Sequence, residues 1–444
     1  MKLICNRFGF VAIGLVASLA VGGTAMGQAG TVVAWGENGQ SQCVVPTTLG
    51  PCTQVSVGDS HIMALKANGA VQAWGANWHG RSDVPLDLGS CIQIAATKIY
   101  GGALALAIQS NGTVKKWGES EPIPTDLGSC KAIATGGYVQ MALKLDGTIT
   151  AWGINYFGQL NIPCGLSTAI ANGTYHCVAL DISGKVWAWG AGTNTSGNQD
   201  PNGNPNFGQS MVPSNLGVCK AIAAGDYHSA AIKMDGTVAV WGKNNQGQCA
   251  VPADLGICTS LAAGMECTVA LQANGLVRSW GYNGNDTPSN LGPCIKISAY
   301  GLTKAAIQAP LSIITGVLPI SGPSSGNTNI TITGTNFFNP STVTIGGAPA
   351  TNVVVVSDTQ ITATTPAGFP GPAVVTVNLG SSTAFYYRPT CGADLDNNNV
   401  VDSADLGYLL LEFGNCNSES AAATETVEPV QIPMIDQTPL AAKK

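Results

Sequence analysis

The dipeptide Trp-Gly recurs through the first two thirds of this 444-residue sequence, and this recurrence most limits how the chain can fold. Successive copies lie 39, 43, 35, 37, 52 and 39 residues apart. The tryptophans concerned are Trp35, Trp74, Trp117, Trp152, Trp189, Trp241 and Trp280. A period of about 40 residues indicates a tandem array of one supersecondary unit.

Each unit has the pattern of short strands joined by tight turns. Two apolar runs flank a dipeptide such as Asn68-Gly69 or Asp235-Gly236, and Asn, Asp and Gly adopt positive φ angles at the lowest cost. Only 10% of the residues are charged and 56 are glycine, which favours strands and turns over helical bundles. The sequence therefore predicts an all-β propeller, with one blade for each repeat.

The two ends of the repeat region are complementary. The last unit, Cys294 to Gln308, lacks the strand that ends in Trp-Gly, whereas residues 30–36 are that strand without a partner before it. Pairing the two completes a seventh blade and removes the open sheet edges of an unclosed array. We therefore expect a closed seven-bladed ring over residues 28–309.

The repeats resemble the family named for the regulator of chromosome condensation. The resemblance rests on Gly-x-x-His before the second strand, Asp-Gly-Thr-Val at the turn, and the closing Trp-Gly. It implies a seven-bladed propeller that offers a binding surface, and it does not imply a reaction. The founder's action on a nuclear GTPase and chromatin is not expected here, because this chain has a net charge of −6 and an export-type N-terminus.

The first 27 residues have the layout of a secretory signal peptide. Lys2 and Arg7 precede an apolar run from Phe8 to Val21, and small residues follow, so cleavage is expected after Gly27 or Ala29. A retained membrane anchor is the alternative. We expect export of a bacterial type, to the periplasm, the cell surface or the medium.

Residues 310–388 depart from the repeat. Short alternating strands with Gly and Pro turns predict a small β-sandwich, and segments such as Asn329–Phe337 resemble the immunoglobulin-like domain shared by plexins and transcription factors, called TIG. The resemblance implies a spacer or a ligand-binding module.

Residues 389–417 contain one acidic loop followed by an apolar helical pattern. Alternate oxygen-bearing positions match a calcium loop, because calcium prefers six to eight oxygen ligands. The predicted ligands are Asp394, Asp396, Asn398, Val400 through its carbonyl, Asp402 and Asp405.

The unit resembles dockerin, which normally carries two such loops and implies attachment to a cohesin-like or envelope partner. A disulfide between Cys391 and Cys416 could replace the stabilisation lost with the second loop. Residues 418–444 are expected to be a disordered tail.

The histidines and cysteines of the ring also recur. His61, His176 and His228 share one position, which favours a repeated structural hydrogen bond over a zinc site. Equal spacing of Cys43 with Cys52, and of Cys249 with Cys258, predicts two local disulfides. The other cysteines of the Leu-Gly-x-Cys motif are expected to be small buried residues.

No catalytic motif is found, so we expect a binding or scaffold protein and not an enzyme. Its ring would present a recognition face, its sandwich would act as a spacer, and its calcium module would attach it. A soluble inhibitor or adhesin, acting through the ring alone on an extracellular protein, is the alternative. An unrecognised acid–base pair on the ring face is a further one. No nucleic-acid partner is expected.

Overall fold

The computed structural model describes residues 28–99, 102–118, 122–193, 206–284, 286–338, 341–378 and 383–388. Their regular structure is strand throughout, apart from a 3₁₀ turn at Trp78–Gly80. The signal peptide predicted over residues 1–27 and the predicted calcium module, with its six ligands and both of its cysteines, lie outside these ranges.

Within these ranges, residues 30–308 form seven three-stranded antiparallel sheets, which we call blades 1 to 7 in the chain order of their inner strands. The inner strands are β2 (Cys52–Val57), β5 (Cys91–Ile99), β8 (Cys130–Thr135), β11 (Ser167–Asn172), β14 (Cys219–Ala224), β17 (Cys258–Ala263) and β20 (Cys294–Tyr300). The middle strands are β3 (His61–Lys66), β6 (Gly102–Gln109), β9 (Val139–Lys144), β12 (His176–Asp181), β15 (His228–Lys233), β18 (Cys267–Gln272) and β21 (Thr303–Gln308). The outer strands are β4 (Val71–Gly75), β7 (Val114–Gly118), β10 (Ile149–Gly153), β13 (Val186–Gly190), β16 (Val238–Gly242), β19 (Val277–Gly281) and β1 (Thr31–Gly36).

The ring closes as the sequence predicts. Strand β1 is the outer strand of blade 7 and pairs with β21 in antiparallel register, from Thr31 opposite Gln308 to Gly36 opposite Thr303. Inner strands of successive blades contact one another, and the last, β20, contacts the first, β2. The predicted all-β propeller, followed by a sandwich, is confirmed.

The inner strands surround an axial cavity of about 270 Å³. Side-chain amides join neighbouring inner strands there, in the way that backbone groups join strands within a sheet. Gln54 donates through Nε2 to the Ile94 carbonyl (3.1 Å) and accepts from the Ile94 amide through Oε1 (3.0 Å). Gln93 makes the same pair of bonds with Ile133. These bonds satisfy backbone groups that would otherwise be unpaired at the axis.

The apolar core lies between adjacent blades. Leu106 and Ile108 of blade 2, for example, pack with Ile133 and Trp152 of blade 3. The indoles of five of the recurring tryptophans also donate to a backbone carbonyl in the loop that enters their own blade. These bonds are Trp74 to Gln42, Trp117 to Arg81, Trp189 to Gln159, Trp241 to Gln209 and Trp280 to Gln248, at 2.8–3.0 Å. In these five blades the tryptophan of the Trp-Gly repeat therefore holds the entering loop against its blade.

All six cysteines of the Leu-Gly-x-Cys motif are buried, as expected for Cys91, Cys130, Cys219 and Cys294, and each thiol donates to the carbonyl of the glycine two residues earlier. They are Cys52, Cys91, Cys130, Cys219, Cys258 and Cys294.

The two disulfides predicted within the ring do not form in the structure, where all four cysteines are free. The Cys43 thiol donates instead to the Glu37 carbonyl, and the Cys249 thiol to the Lys243 carbonyl, both at 3.1 Å. Their expected partners begin inner strands and point into the core. The equal spacing reflects the repeat and does not bring the sulfurs together.

The sandwich packs two sheets face to face. One has the order β22 (Ile313–Leu318), β24 (Asn329–Thr335), β28 (Gln360–Thr364), β27 (Thr351–Ser357). The other has the order β23 (Ser321–Pro323), β30 (Thr383–Arg388), β29 (Gly371–Val377), β25 (Val343–Ile345), β26 (Ala348–Pro349). Their core includes Ile332, Ile361, Val375 and Phe385, which alternate with outward-facing residues as the sequence pattern predicts.

Candidate functional site

Aromatic side chains cluster on one face of the ring, at the turns between inner and middle strands. Tyr138, Tyr175 and Tyr227 occupy the same position in blades 3, 4 and 5, immediately before the middle strand. Three further rings come from the loops that follow outer strands. We call the group the aromatic ladder: Tyr138, Tyr156, Phe157, Tyr175, Phe207 and Tyr227.

The ladder is continuous from blade 3 to blade 5. The ring centroids of Tyr138 and Tyr175 lie 5.3 Å apart, and those of Tyr175 and Tyr227 lie 5.2 Å apart in a stacked arrangement. Phe157 meets the Tyr175 ring edge to face at 5.3 Å, and Phe207 meets the Tyr227 ring similarly at 5.4 Å. Aromatic pairs in these arrangements stabilise the structure by more than the burial of their surface area alone.

Glycine at the start of each turn brings the tyrosines close enough to stack. A Cβ added to Gly173 would collide with the carbonyl oxygen of Gly225 in the next blade, and one added to Gly225 would collide with that of Gly264. Each tyrosine carbonyl then accepts a backbone bond from the residue after its own Trp-Gly, as in Ala191 N to Tyr175 O (2.9 Å). The ladder is therefore held by backbone contacts on both sides.

A charged pair borders the ladder at blade 5. Lys243 Nζ lies 2.7 Å from Glu266 Oε1, and it lies over the Tyr227 ring at 5.1 Å and the Phe207 ring at 5.6 Å. The ladder is only half-buried, and Tyr156 is 75% exposed. A rigid aromatic surface with a charged edge suits contact with another macromolecule.

The three recurring histidines are fully buried, and His176 and His228 directly follow the ladder residues Tyr175 and Tyr227. His176 Nε2 is 2.8 Å from Ser229 Oγ, whose hydroxyl donates to the Gln209 carbonyl, so the imidazole is the donor of the first bond. His228 bonds Thr268 in the same way at 3.0 Å. For these two residues the predicted structural hydrogen bond is confirmed, and it joins each blade to the next.

His61 differs from the other two histidines. The position that bears Ser229 or Thr268 in other blades is Ala105 in blade 2, so neither ring nitrogen of His61 bonds a described residue. Arg81 lies nearby, and its charge adds to burial in lowering the pKa of His61 to about 3. Burial also lowers the pKa of His176 to about 3 and that of His228 to about 4. All three imidazoles are therefore neutral at pH 7.

The three histidines lie in separate blade contacts, and the described residues contain no group of three or more His, Cys, Asp or Glu side chains placed to hold a metal ion. Sequence reasoning missed the aromatic ladder. Its signal was nevertheless present, since the residue before the recurrent histidine position is tyrosine in three consecutive repeats.

Two family models match the chain. The model for the regulator of chromosome condensation (RCC1) repeat matches residues 52–81 and 219–248, and the IPT/TIG domain model matches residues 312–390. The chain carries RCC1 repeats and a TIG domain. The first RCC1 match covers blade 1 and the second covers blade 5, each from its inner strand into the loop that follows its outer strand.

Solved RCC1 structures share this fold. The crystal structure of Prp20p from Saccharomyces cerevisiae, described with its binding properties to Gsp1p and histones, is 19% identical with a TM-score of 0.53. It matches over 64% of this chain and 93% of that one. Yeast RCC1 (Prp20) bound to Kap60 is 18% identical over 64% of this chain and 90% of that one, with a TM-score of 0.53. At these identities the likeness shows the fold alone.

No match was found among curated proteins. Among the described residues, no helix is both long and apolar enough to cross a membrane.

Proposed function

We propose that this RCC1-repeat chain is a non-enzymatic binding protein whose propeller presents the aromatic ladder to a protein partner. The observation that carries the proposal is the contact between the half-buried rings of Tyr138, Tyr175 and Tyr227 across three blades on one face. Tyrosine is enriched where binding energy concentrates, because it offers a large contact area with little rotamer entropy to lose. The structural likeness to Prp20p, which is described with its protein partners, supports the same class of function.

The geometry favours binding through a preorganised surface. Glycine contacts and backbone hydrogen bonds fix the turns that carry the tyrosines, so little ordering remains to be done when a partner binds. At the matching position, blades 1, 6 and 7 carry Ser60, Glu266 and Leu302. The ladder therefore marks one half of the ring face as the contact region.

The test is affinity capture by the full chain, followed by measurement of the captured partner's affinity. Tyr175→Ala with Tyr227→Ala removes two rings of the ladder, and Tyr386→Ala removes an exposed tyrosine of the sandwich as the control. We expect the double variant to lose at least about tenfold in affinity and the control to keep it. A partner that binds both variants equally would show that the ladder is not the recognition face.

In the wider proposal the protein is exported, the TIG domain separates the ring from its anchorage, and residues 389–417 attach it through calcium. This part is supported by the order of the segments and by the acidic loop that begins at Asp394. Calcium should raise the melting temperature of the full chain, and Asp394→Ala should abolish the shift. Partner capture that depends on residues 389–417 would favour the scaffold, whereas capture by the ring alone would favour the inhibitor or adhesin.

A further inference from the structure

The opposite face of the ring carries a second surface of different chemistry. On that face a tight turn joins the middle strand of each blade to its outer strand. The backbone N–H of the first residue of the turn donates to the carbonyl of the residue just before the inner strand of the same blade. In blade 4 this bond runs from Ile182 N to Leu166 O (3.2 Å), and in blade 5 from Met234 N to Val218 O (3.1 Å).

Large apolar side chains occupy these positions in one part of the ring only. Six of them, which we call the apolar arc, are between 42% and 69% exposed: Leu145, Leu166, Ile182, Val218, Met234 and Ile257. Elsewhere the same positions hold small residues or proline: Pro51, Ala67, Ser90, Ser110, Ser129, Ala273, Pro293 and Ala309.

The arc is continuous from blade 3 to blade 6. The turn glycine of each blade lies against the apolar residue that opens the next blade. A Cβ added to Gly147 would lie 3.6 Å from the Leu166 side chain, and one added to Gly184 would lie 2.5 Å from Val218 Cγ1. Gly236 contacts Ile257 in the same way. Contiguous exposed apolar surface is uncommon on soluble proteins and marks a contact site.

Lysines flank the arc although the chain as a whole is acidic. Lys131, Lys144, Lys185, Lys220 and Lys233 lie on the strands and turns that carry it. None of them forms an ion pair within 4 Å of a described carboxylate, whereas three other cations of the described residues do.

The three aspartates of the same turns are engaged locally. Asp146 Oδ1 accepts from the amide and hydroxyl of Thr148 at 2.8 and 2.7 Å, and Asp235 binds Thr237 in the same way. Asp181 accepts from Ser183 and from the Trp187 indole. Lys185 Nζ lies 3.9 Å from the centroid of the Trp187 ring. Lys131, Lys144, Lys220 and Lys233 are therefore the cations that remain for a partner.

We propose that the apolar arc binds a protein segment that is apolar and flanked by acidic side chains. Apolar residues of the segment would cover the six side chains, and its carboxylates would pair with the lysines around them. A protein segment fits this surface better than an anionic membrane, because a segment can place its carboxylates beside the lysines and away from Asp146, Asp181 and Asp235, whereas a membrane presents negative charge to all of them. This site is separate from the aromatic ladder, which lies at the other end of the same strands.

The test uses the full chain and two short fluorescent peptides that share the same leucines. One peptide carries glutamate at its remaining positions, and the other carries lysine. We expect fluorescence anisotropy to show binding of the acidic peptide at least about tenfold tighter than the basic one. Ile182→Ser with Met234→Ser should reduce that binding by at least about tenfold. Leu86→Ser, at a fully exposed leucine outside the arc, should leave it unchanged.

Lys144→Gln with Lys233→Gln should lower the affinity for the acidic peptide several-fold and reduce the salt dependence of its binding. Equal binding of both peptides, or full binding by the Ile182→Ser, Met234→Ser chain, would overturn the proposal. It would also be overturned if that double variant abolished self-association of the chain, or binding to phosphatidylserine vesicles, with no effect on the peptide. Tighter peptide binding after deletion of residues 418–444 would show instead that the chain's own tail occupies the arc. Unchanged melting temperatures of the variants would verify their folding.

Discussion

Thr31 lies opposite Gln308 at one end of the antiparallel pair that closes the propeller, and Trp35 lies opposite Lys304 near the other end. The outer strand of blade 7 thus comes from the start of the described chain, and the other two strands come from the end of the repeats. A ring closed in this way cannot open without breaking sheet hydrogen bonds between distant parts of the chain, so its blades should unfold together.

Val32→Asp should weaken this closure. Val32 is buried and packs with Val55 and Ile62 of blade 1, whereas Thr31 is exposed. Burying an unpaired carboxylate costs several kcal/mol, on the order of 3 or more. Urea unfolding followed by tryptophan fluorescence should show a large decrease in the free energy of unfolding for Val32→Asp. The decrease for Thr31→Asp should be less than about 1 kcal/mol. Similar losses for the two would contradict the closure.

We expect the stability of the folded ring to depend on the ion pair between the Lys304 ammonium group and Asp286. Lys304 is fully buried, and its Nζ lies 2.7 Å from Asp286 Oδ2. Asp286→Asn leaves the buried ammonium charge without a counter-charge and should destabilise the fold by about 3–5 kcal/mol. Lys304→Met should cost less, because the Asp286 side chain is 25% exposed and water can solvate the carboxylate that remains. Calorimetric melting of the two variants tests the order, and a smaller loss for Asp286→Asn would refute it.

Ala105→Ser should supply the hydroxyl that His61 lacks. In blade 5 the equivalent Ser229 accepts from His176 and donates to the Gln209 carbonyl. A serine at position 105 could accept from His61 and donate to the Arg81 carbonyl. We expect this to raise the free energy of unfolding by about 0.5–1.5 kcal/mol. Chemical denaturation at pH 7 measures the gain. In a His61→Leu background the gain should disappear, and its persistence there would exclude the proposed bond.

Gly225→Ala should disturb the aromatic ladder. The added methyl would meet the His228 ring and the Gly264 carbonyl, so the turn that carries Tyr227 must move. We expect a loss of about 1–3 kcal/mol and weaker partner binding. Gly39→Ala is the control, because its methyl would meet no atom within 4 Å. A stable Gly225→Ala chain with normal binding would show that the close approach is not required.

Acid should destabilise the ring through its buried histidines. Their pKa values are about 3 to 4 in the folded ring and about 6.5 when exposed. The unfolded chain therefore takes up protons first, and the associated stability, complete above pH 6.5, is lost as the pH falls from there toward 3. Each histidine should contribute a slope of about 1.4 kcal/mol per pH unit in that window.

Denaturation midpoints measured between pH 7 and pH 4 test this linkage. His228→Asn should reduce the slope, because it removes one of the buried imidazoles. An identical slope in the His228 variant would exclude the linkage.

Much of the propeller could be predicted from the sequence because its information is local and repeated. The Asn-Gly and Asp-Gly turns, the alternating apolar runs and the incomplete unit at Cys294–Gln308 predict the strands, the blades and the closure. The same regularity misled the disulfide prediction. Cys43 and Cys52 keep the spacing of Cys249 and Cys258 because the repeat keeps it, yet the four thiols donate to separate carbonyls.

The sequence by itself determined the repeat unit, the number of blades and the segment that seals the ring, because strand, turn and edge propensities act over short stretches of chain. Only the tertiary structure decided which side chains from different blades meet. Tyr175 and Tyr227 stack, and Gly184 adjoins Val218, because ring curvature and the glycine contacts set the distance between neighbouring blades. That distance depends on packing across the whole ring, which no single repeat encodes.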